Sequence, residues 1–431
     1  MHTTFCSEDG CVSCDGSGAM LRATQEARHS DRRAEAGPAD PHPWRAALLL
    51  GLLVIVAGMV WSTVLWPRIE HEPAGWWLPP PDVWHPLVAA RQIVVGSFAH
   101  VYRPDSFYVA GPLFAVFLAP VEAVASGFGL SESYPAQVAR PAAWFVYGPY
   151  GLATGILLLY AVRALATEAG VRSGRLALQV GTVLLVTLPV GLAYGHYEDI
   201  LALALVVLAT RELLRGRPVL GAVVVGLAIA TKQWAVLAVP VLVAAAPRGR
   251  KIRVLFYAAA VPAAFAAAPL LLDWSHASRS LFAARTFPPD GAAALWVSSG
   301  TVSIVGTPVR LGAVAVAVIV AWRLRYRASE PAALVGGLAV VLLARFLFEP
   351  VVYSYYLGPG LALLLVHERV RGGRGLRTVV LGGGWLLWFQ VWPATWWWWA
   401  LTYALALGVS WSALRELLPR SSAPLVSQPA S

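Results

Sequence analysis

Long apolar runs separated by short polar turns are the main feature of the chain from residue 44 onward. The runs lie at about 46–66, 142–162, 175–194, 199–214, 217–231, 233–246, 253–272, 301–322, 332–348, 352–367, 376–392 and 396–416. An α-helix needs roughly 20 residues to cross a bilayer, and a backbone in lipid must satisfy its own hydrogen bonds. The pattern therefore predicts an all-α, polytopic membrane helix bundle with about 12 transmembrane helices.

The composition agrees with a membrane protein. Hydrophobic residues make up 58% of the chain and charged residues only 13%, whereas soluble domains are about a quarter charged. The net charge is +10 and comes from arginine, because Lys232 and Lys251 are the only lysines. A basic excess in such a chain is typical of cytoplasmic loops, so we expect a multi-pass plasma-membrane protein that binds no nucleic acid.

The arginine-rich turns follow alternate runs, and this spacing predicts the topology. If those turns are cytoplasmic, both termini are cytoplasmic as well. We predict a disordered cytoplasmic tail at 1–43, a transmembrane domain at 44–418 and a cytoplasmic tail at 419–431. The first tail contains three cysteines at metal-like spacing, but a fourth ligand is missing, and a plain disordered tail is the favoured interpretation.

The segment 67–126 is predicted to be a long first extracytoplasmic loop that carries interfacial helices. An amphipathic helix is expected from about 85 to 95. The apolar run at 111–126 is short and interrupted by Pro120 and Glu122. We interpret it as a re-entrant or interfacial helix, since a full crossing would move an arginine-rich loop to the outside.

Two residues at the start of this amphipathic helix are candidates for chemistry. Asp82 precedes the helix and has two open interpretations. It caps the free amides of the helix, or it faces a cavity of low dielectric, where a raised pKa lets it take a proton from a sugar hydroxyl. His85 follows and is a candidate substrate-binding residue.

A second polar turn, at residues 195–199, joins two apolar runs. Ionisable groups beside a membrane are costly unless they face a cavity or one another. His196, Glu198 and Asp199 either cap the next helix or bind a polar group of a substrate. They are also suitable ligands for a divalent ion, but a second ligand set is not evident in the sequence, so we predict no metal and no cofactor.

Cations and aromatic residues near the same predicted face have two interpretations each. Lys232, Arg285 and Arg345 are candidate phosphate-binding residues. Alternatively, Lys232 extends to the membrane interface and Arg345 pairs with Glu349. Tyr355 is expected in an interfacial aromatic belt or stacked on a sugar.

The order of these features resembles that of the C-type (GT-C) integral-membrane glycosyltransferases. The closest resemblance is to glycosyltransferase family 87, the actinobacterial polyprenol-phosphate-mannose-dependent mannosyltransferases. The matching positions in the first loop are Asp82, Trp84, Ala89, Ala90, Gly96, Tyr102 and 108–112. The 195–196 turn is similar to a Gly-Gln/His turn of that family, and 221–232 is similar to its small-residue helix ending in Lys.

This resemblance implies a GT-C-like fold and an inverting transfer of a sugar, by analogy mannose, with Asp82 as general base. The implied partners are a polyprenyl-phosphate sugar donor, a glycolipid or glycan acceptor and membrane lipids, and the reaction is expected on the extracytoplasmic face. The alternative function is a multi-spanning transporter or lipid flippase, which also combines many spans with intramembrane charge. The acid-rich first loop favours the transferase.

Overall fold

The computed structural model describes residues 84–103, 108–129, 141–171, 174–193, 195–282, 302–327, 330–349 and 354–373, with isolated residues beyond 373. The chain divides into two units, 1–43 and 44–431, and the described residues all belong to the second. Asp82, Arg285, the run at 46–66, the first tail and the segment 419–431 lie outside the described residues.

Helices account for nearly all of the described residues, and no strand occurs among them. The α-helices are α1 (Trp84–Val94), α2 (Pro112–Gly127), α3 (Pro141–Glu168), α4 (Arg175–Thr182), α5 (Tyr197–Leu214), α6 (Pro218–Thr231), α7 (Val239–Ala245), α8 (Lys251–Leu272), α9 (Trp274–Phe282), α10 (Val302–Leu324), α11 (Pro331–Phe348) and α12 (Leu357–Val370). A π-helix continues α4 over Val183–Ala193, and 3-10 turns occupy Phe98–His100, Gln233–Ala238, Arg248–Arg250 and Ser354–Tyr356. The prediction of an all-α fold is confirmed for this part of the chain.

Three of the described segments are long and apolar enough to cross a membrane, namely Gly148–Glu168, Arg248–Leu272 and Pro331–Phe348. Other helices begin and end close to the predicted runs but are shorter. The 14 residues of α6, for example, extend only about 21 Å at ~1.5 Å per residue, against a hydrocarbon core of ~30 Å. The prediction of an all-helical membrane protein is therefore confirmed for the described residues, and the count of about 12 crossings stays a prediction.

Small residues allow the central helices to approach closely. Helix α6 lies between α5 and α8, where a Cβ atom added to Gly221 would meet the carbonyl oxygen of Ala209 at 2.9 Å. A Cβ atom added to Gly226 would meet Val261 Cβ at 2.8 Å. Such contacts between small residues are typical of helix packing in membranes, where dispersion rather than the hydrophobic effect holds helices together.

The helix predicted at 85–95 is α1, and it packs against α2. Its buried face consists of Pro86, Leu87, Ala89 and Ala90. The amide of Gly111, directly before α2, donates a hydrogen bond to the carbonyl of Thr231 at 2.8 Å. This bond fixes the α1–α2 segment to the last residue of α6.

Charged residues are concentrated at opposite ends of the bundle helices. Arginines lie in the last turns of α5 and α12, directly before α6, and at Arg327, four residues before α11. The other ends of the same four helices carry Glu198, Asp199, Lys232, Arg345 and Tyr356. The antiparallel order of the helices therefore gathers one polar cluster at the end opposite the arginines.

Candidate active site

A buried ion pair joins the first turn of α5 to the residue after α6. Lys232 Nζ donates to Glu198 Oε1 at 2.9 Å, and His196 Nδ1 lies 2.8 Å from the same oxygen. Lys232 and Glu198 are 34 residues apart in sequence, but the tight turn between α5 and α6 brings the far ends of both helices together. Lys232 is 8% exposed, so the interpretation that it extends to the membrane interface is wrong.

Asp199 links three segments of the chain. Its Oδ2 atom lies 3.4 Å from Lys232 Nζ, and its Oδ1 atom accepts a hydrogen bond from Trp234 Nε1. Arg345 Nη1 of α11 lies 3.7 Å from the same Oδ1 atom. Because each partner comes from a different element, the carboxylate also ties the ends of α5, α6 and α11 together. Its role in this network goes beyond capping α5.

Arg345 pairs with Glu349, as one of its two interpretations predicted, and also contacts Asp199. Its side chain is 7% exposed, and its Nε atom lies 3.9 Å from Glu349 Oε2. Glu349 also accepts a hydrogen bond from Arg310 Nε at 2.9 Å. The guanidinium carbon of Arg345 lies 4.1 Å from the centre of the Tyr356 ring and 5.2 Å from that of Trp234. Arg345 therefore pairs with Glu349 and belongs to the cluster at the same time.

Tyr355 is buried beside the cluster. It is 3% exposed, and its ring centre lies 4.8 Å from that of His196. It also meets the Tyr356 ring edge-on at 4.8 Å. The expectation of an interfacial belt is wrong for this residue, because an interfacial tyrosine would be exposed at the bundle surface.

The fixed charges of the cluster balance. Glu198, Asp199 and Glu349 face Lys232, Arg345 and Arg310, so the cluster is neutral when His196 is uncharged. Burial would lower the pKa of the Lys232 ammonium, but the Asp199 and Glu198 carboxylates outweigh burial and hold its pKa above its ordinary value. Lys232 is therefore a cation throughout the physiological pH range.

Three of these residues have ligand atoms at metal-binding spacing. One atom each of His196, Glu198 and Asp199 lies within 4.8 Å of the others. The Lys232 ammonium already lies against both carboxylates, and a divalent ion would have to bind beside that positive charge. The donor set is therefore better matched to a resident ammonium than to a metal, and we derive no step through a metal.

Most of the predicted site residues meet in this cluster. They are His196, Glu198, Asp199, Lys232, Arg345 and Tyr355. His85 lies in α1, with its ring 4.0 Å from that of Trp84. Sequence reasoning missed Trp234 as a site residue, although its position two residues after Lys232 was a usable signal.

The helices that carry this cluster lie within the part of the chain that matches a known family. The sequence profile of glycosyltransferase family 87 matches residues 108–350, which is more than half of the chain. The matched range contains His196, Glu198, Asp199, Lys232 and Arg345. No match to a curated protein was found. The chain therefore belongs to glycosyltransferase family 87 and is a membrane glycosyltransferase.

Proposed function

We propose that this enzyme transfers a sugar, by family resemblance mannose, from a polyprenyl-phosphate donor to a lipid- or glycan-linked acceptor. The transfer inverts the configuration at the anomeric carbon and takes place at the extracytoplasmic face of the plasma membrane. One observation carries the proposal: a buried cluster of acids and cations lies at the helix ends opposite the arginine-rich turns. Arginine-rich turns are typical of the cytoplasmic side, so the cluster is assigned to the other face.

The cations of the cluster suit a phosphate leaving group. An ammonium has three donors. One donor of Lys232 bonds to Glu198 Oε1 and a second is near Asp199 Oδ2 at 3.4 Å, so a third is left for a phosphate oxygen. The Nε atom of Arg345 is buried and has no hydrogen-bond partner in the described part of the chain. As the bond between the anomeric carbon and the phosphate oxygen breaks, these donors stabilise the charge that develops on the phosphate.

Glu198 is poorly suited to act as the general base. Its Oε1 atom is shared by Lys232 and His196, and a carboxylate stabilised by two donors is a weak base. We propose Asp82 as the base on the strength of the family motif. It removes the proton of the acceptor hydroxyl as that oxygen attacks the anomeric carbon.

The described helices that follow Asp82 are connected to the neighbourhood of the cluster. Helix α1 begins two residues after Asp82 and packs against α2. The start of α2 is bonded to Thr231, the residue directly before Lys232. The start of α2 is therefore anchored beside the cation proposed to bind the phosphate.

A transfer assay tests the proposal. Membranes containing wild type, Asp82→Asn or the same-loop control Asp105→Asn receive radiolabelled polyprenyl-phosphate mannose and membrane acceptors. We expect Asp82→Asn to lower the rate by about 100-fold or more, as is usual for loss of a general base, and Asp105→Asn to retain activity. Equal product from Asp82→Asn and wild type would remove Asp82 as the base. Wild type that uses no polyprenyl-phosphate sugar would remove the proposed donor class.

The transporter or flippase alternative gains no support from the described residues. The family profile matches over the helices that carry the cluster, and that family consists of glycosyltransferases. We therefore retain sugar transfer as the proposed function.

A further inference from the structure

Several buried polar atoms in and around the cluster lack a hydrogen-bond partner among the described residues, including Asp199 Oδ2 and Arg345 Nε. Two more are Glu198 Oε2, on the first turn of α5, and the hydroxyl oxygen of Tyr150, on α3. A buried polar atom without a hydrogen bond is costly, and such atoms are uncommon in folded proteins. Each is therefore available to a polar group of a ligand.

Close helix packing brings these two residues to the same junction. Gly151, next to Tyr150, faces Tyr197, next to Glu198, so closely that an added Cβ would lie 2.6 Å from the Tyr197 ring. The negative charge of Glu198 also acts electrostatically on the Tyr150 hydroxyl. Tyr150 and Glu198 therefore lie at one junction, formed where α3 packs against α5.

An aromatic side chain of α2 borders this junction. The fully buried Phe114 meets the Tyr150 ring edge-on, with 5.9 Å between ring centres. The neighbouring Tyr108 hydroxyl is already engaged, because it donates to the Gly111 carbonyl at 2.6 Å. Small-molecule sites commonly combine such an apolar wall with a few polar atoms that fix orientation.

The two unpartnered atoms are chemically complementary. A carboxylate oxygen accepts only, whereas a phenol hydroxyl donates and also accepts. An alcohol group can donate to Glu198 Oε2 and accept from Tyr150, and neighbouring hydroxyls of a sugar ring can divide these two roles. An alkyl chain satisfies neither atom.

We propose that Tyr150 and Glu198 Oε2 form a hydroxyl-binding pair for the sugar ring of the substrate. Tyr150 then determines specificity, while Lys232 and Arg345 act on the phosphate. This inference rests on the proposed sugar transfer and adds to it the part of the site that selects the sugar. The bound ring belongs either to the donor or to the acceptor, and the two sources are separated by experiment.

Binding to the purified full-length chain in lipid nanodiscs tests the pair independently of catalysis. One arm uses octyl mannoside, which represents an acceptor sugar, and the other uses a short-chain prenyl-phosphate mannose, which represents the donor. Both are offered to wild type, Tyr150→Phe and Tyr160→Phe. Tyr160 is the matched control, because it lies on α3 but is 48% exposed. Calorimetry gives the dissociation constants.

We expect Tyr150→Phe to weaken the binding of one of the two probes by about five- to tenfold, the usual effect of one lost hydrogen bond, and Tyr160→Phe to bind as wild type does. One monodeoxy form of that probe should bind wild type as weakly as the complete probe binds Tyr150→Phe. Its affinity should not fall further when Tyr150 is changed to Phe. If Tyr150→Phe binds both probes as tightly as wild type does, the proposed pair is overturned. Equal binding of all deoxy forms by wild type would overturn it as well, a result that needs no variant to fold.

The transfer assay separates this inference from the proposed function. Wild type that binds mannosides through Tyr150 but transfers no sugar would overturn the transfer and leave the hydroxyl-binding pair in place. Wild type that transfers mannose while Tyr150→Phe retains full affinity for both probes would overturn the pair alone.

Discussion

Individual residues of the cluster that are proposed to bind substrate also compensate one another's charges. Lys232 compensates two buried carboxylates, and Asp199 in turn compensates Lys232 and Arg345. Removing one partner of a buried ion pair leaves an uncompensated charge, which is far more costly than removing both. A substitution at any of these positions is therefore expected to change folding as well as the proposed substrate binding.

Lys232→Met is expected to lower both stability and donor use. Loss of the ammonium leaves Glu198 and Asp199 with less compensation, at a cost of about 3–5 kcal/mol for a broken buried pair. Lys251→Met at the start of α8 is the control, since Lys251 is the other lysine of the chain. Melting temperature in detergent and the transfer assay give the two readouts. A wild-type melting temperature for Lys232→Met would show that the ion pairs contribute nothing to the fold.

Asp273 is a second carboxylate with a defined pH response. It lies after α8, with Oδ1 2.7 Å from His276 Nδ1 and Oδ2 3.3 Å from His100 Nδ1. Burial alone would raise the pKa of Asp273, but the hydrogen bonds with His276 and His100 outweigh it and hold the pKa below its ordinary value. The ionised Asp273 therefore holds the 3-10 turn at Phe98–His100 against the end of α8.

The sign of this shift gives a prediction. A depressed pKa contributes stability above the unfolded-state pKa, roughly 3.9 for Asp, and this contribution is lost as pH falls through the folded-state pKa. Asp273→Asn should therefore lower the melting temperature at pH 7, on the order of 2 °C, and the difference from wild type should shrink towards pH 3. Thermal denaturation across this range provides the measurement. A difference that stays constant with pH would assign Asp273 a role unrelated to its charge.

At the scale of elements, the α5–α6 hairpin and the start of α2 determine where the cluster forms. Gly111 is the point at which α2 contacts α6, because its amide bonds to Thr231. A Cβ atom added there would lie 2.0 Å from the carbonyl oxygen of Ala230. Backbone atoms cannot move aside as a flexible side chain does, so an alanine must separate the two helices.

Gly111→Ala is therefore expected to lower the melting temperature and to reduce transfer at least tenfold, since small displacements of catalytic groups are costly. Gly127→Ala is the matched control, because Gly127 is the last residue of the same helix and an added Cβ there meets nothing within 4 Å. It should leave activity unchanged and stabilise the helix slightly. Similar behaviour of the two variants would mean that α2 is not held at Gly111.

At the scale of the whole molecule, charge separation along the helices predicts its orientation. The cluster end carries balanced acids and cations, whereas the opposite end is rich in arginine. Positively charged turns are retained in the cytoplasm during insertion. The two ends should therefore face opposite compartments.

Cysteine labelling in intact cells tests this orientation. In a background with the three native cysteines changed to serine, His100→Cys lies near the cluster end and Gly249→Cys lies in the Arg248–Arg250 turn. The His100 side chain is 52% exposed, and Gly249 has nothing within 4 Å of an added Cβ. A membrane-impermeant maleimide should label position 100 in intact cells and position 249 only after permeabilisation. The reverse pattern would place the cluster in the cytoplasm.

The fold class and the approximate helix bounds were predictable, because a backbone in lipid has few alternatives to a helix. Helix α11 illustrates this, since the run predicted at 332–348 is the helix Pro331–Phe348. The number of crossings was less predictable. An apolar run shows that a segment is buried, but burial among other helices and burial in lipid have the same hydrophobic signal.

The sequence by itself determined which side chains of the site had to find partners. His196, Glu198, Asp199 and Lys232 interrupt apolar runs, and the cost of burying charge requires each to be compensated. Only the tertiary structure decided the partners, such as Trp234 for Asp199 and the junction of Tyr150 with Glu198. The physical reason is that helices apolar on every side carry no periodic signal of which face meets which neighbour, so side-chain packing alone fixes their rotation.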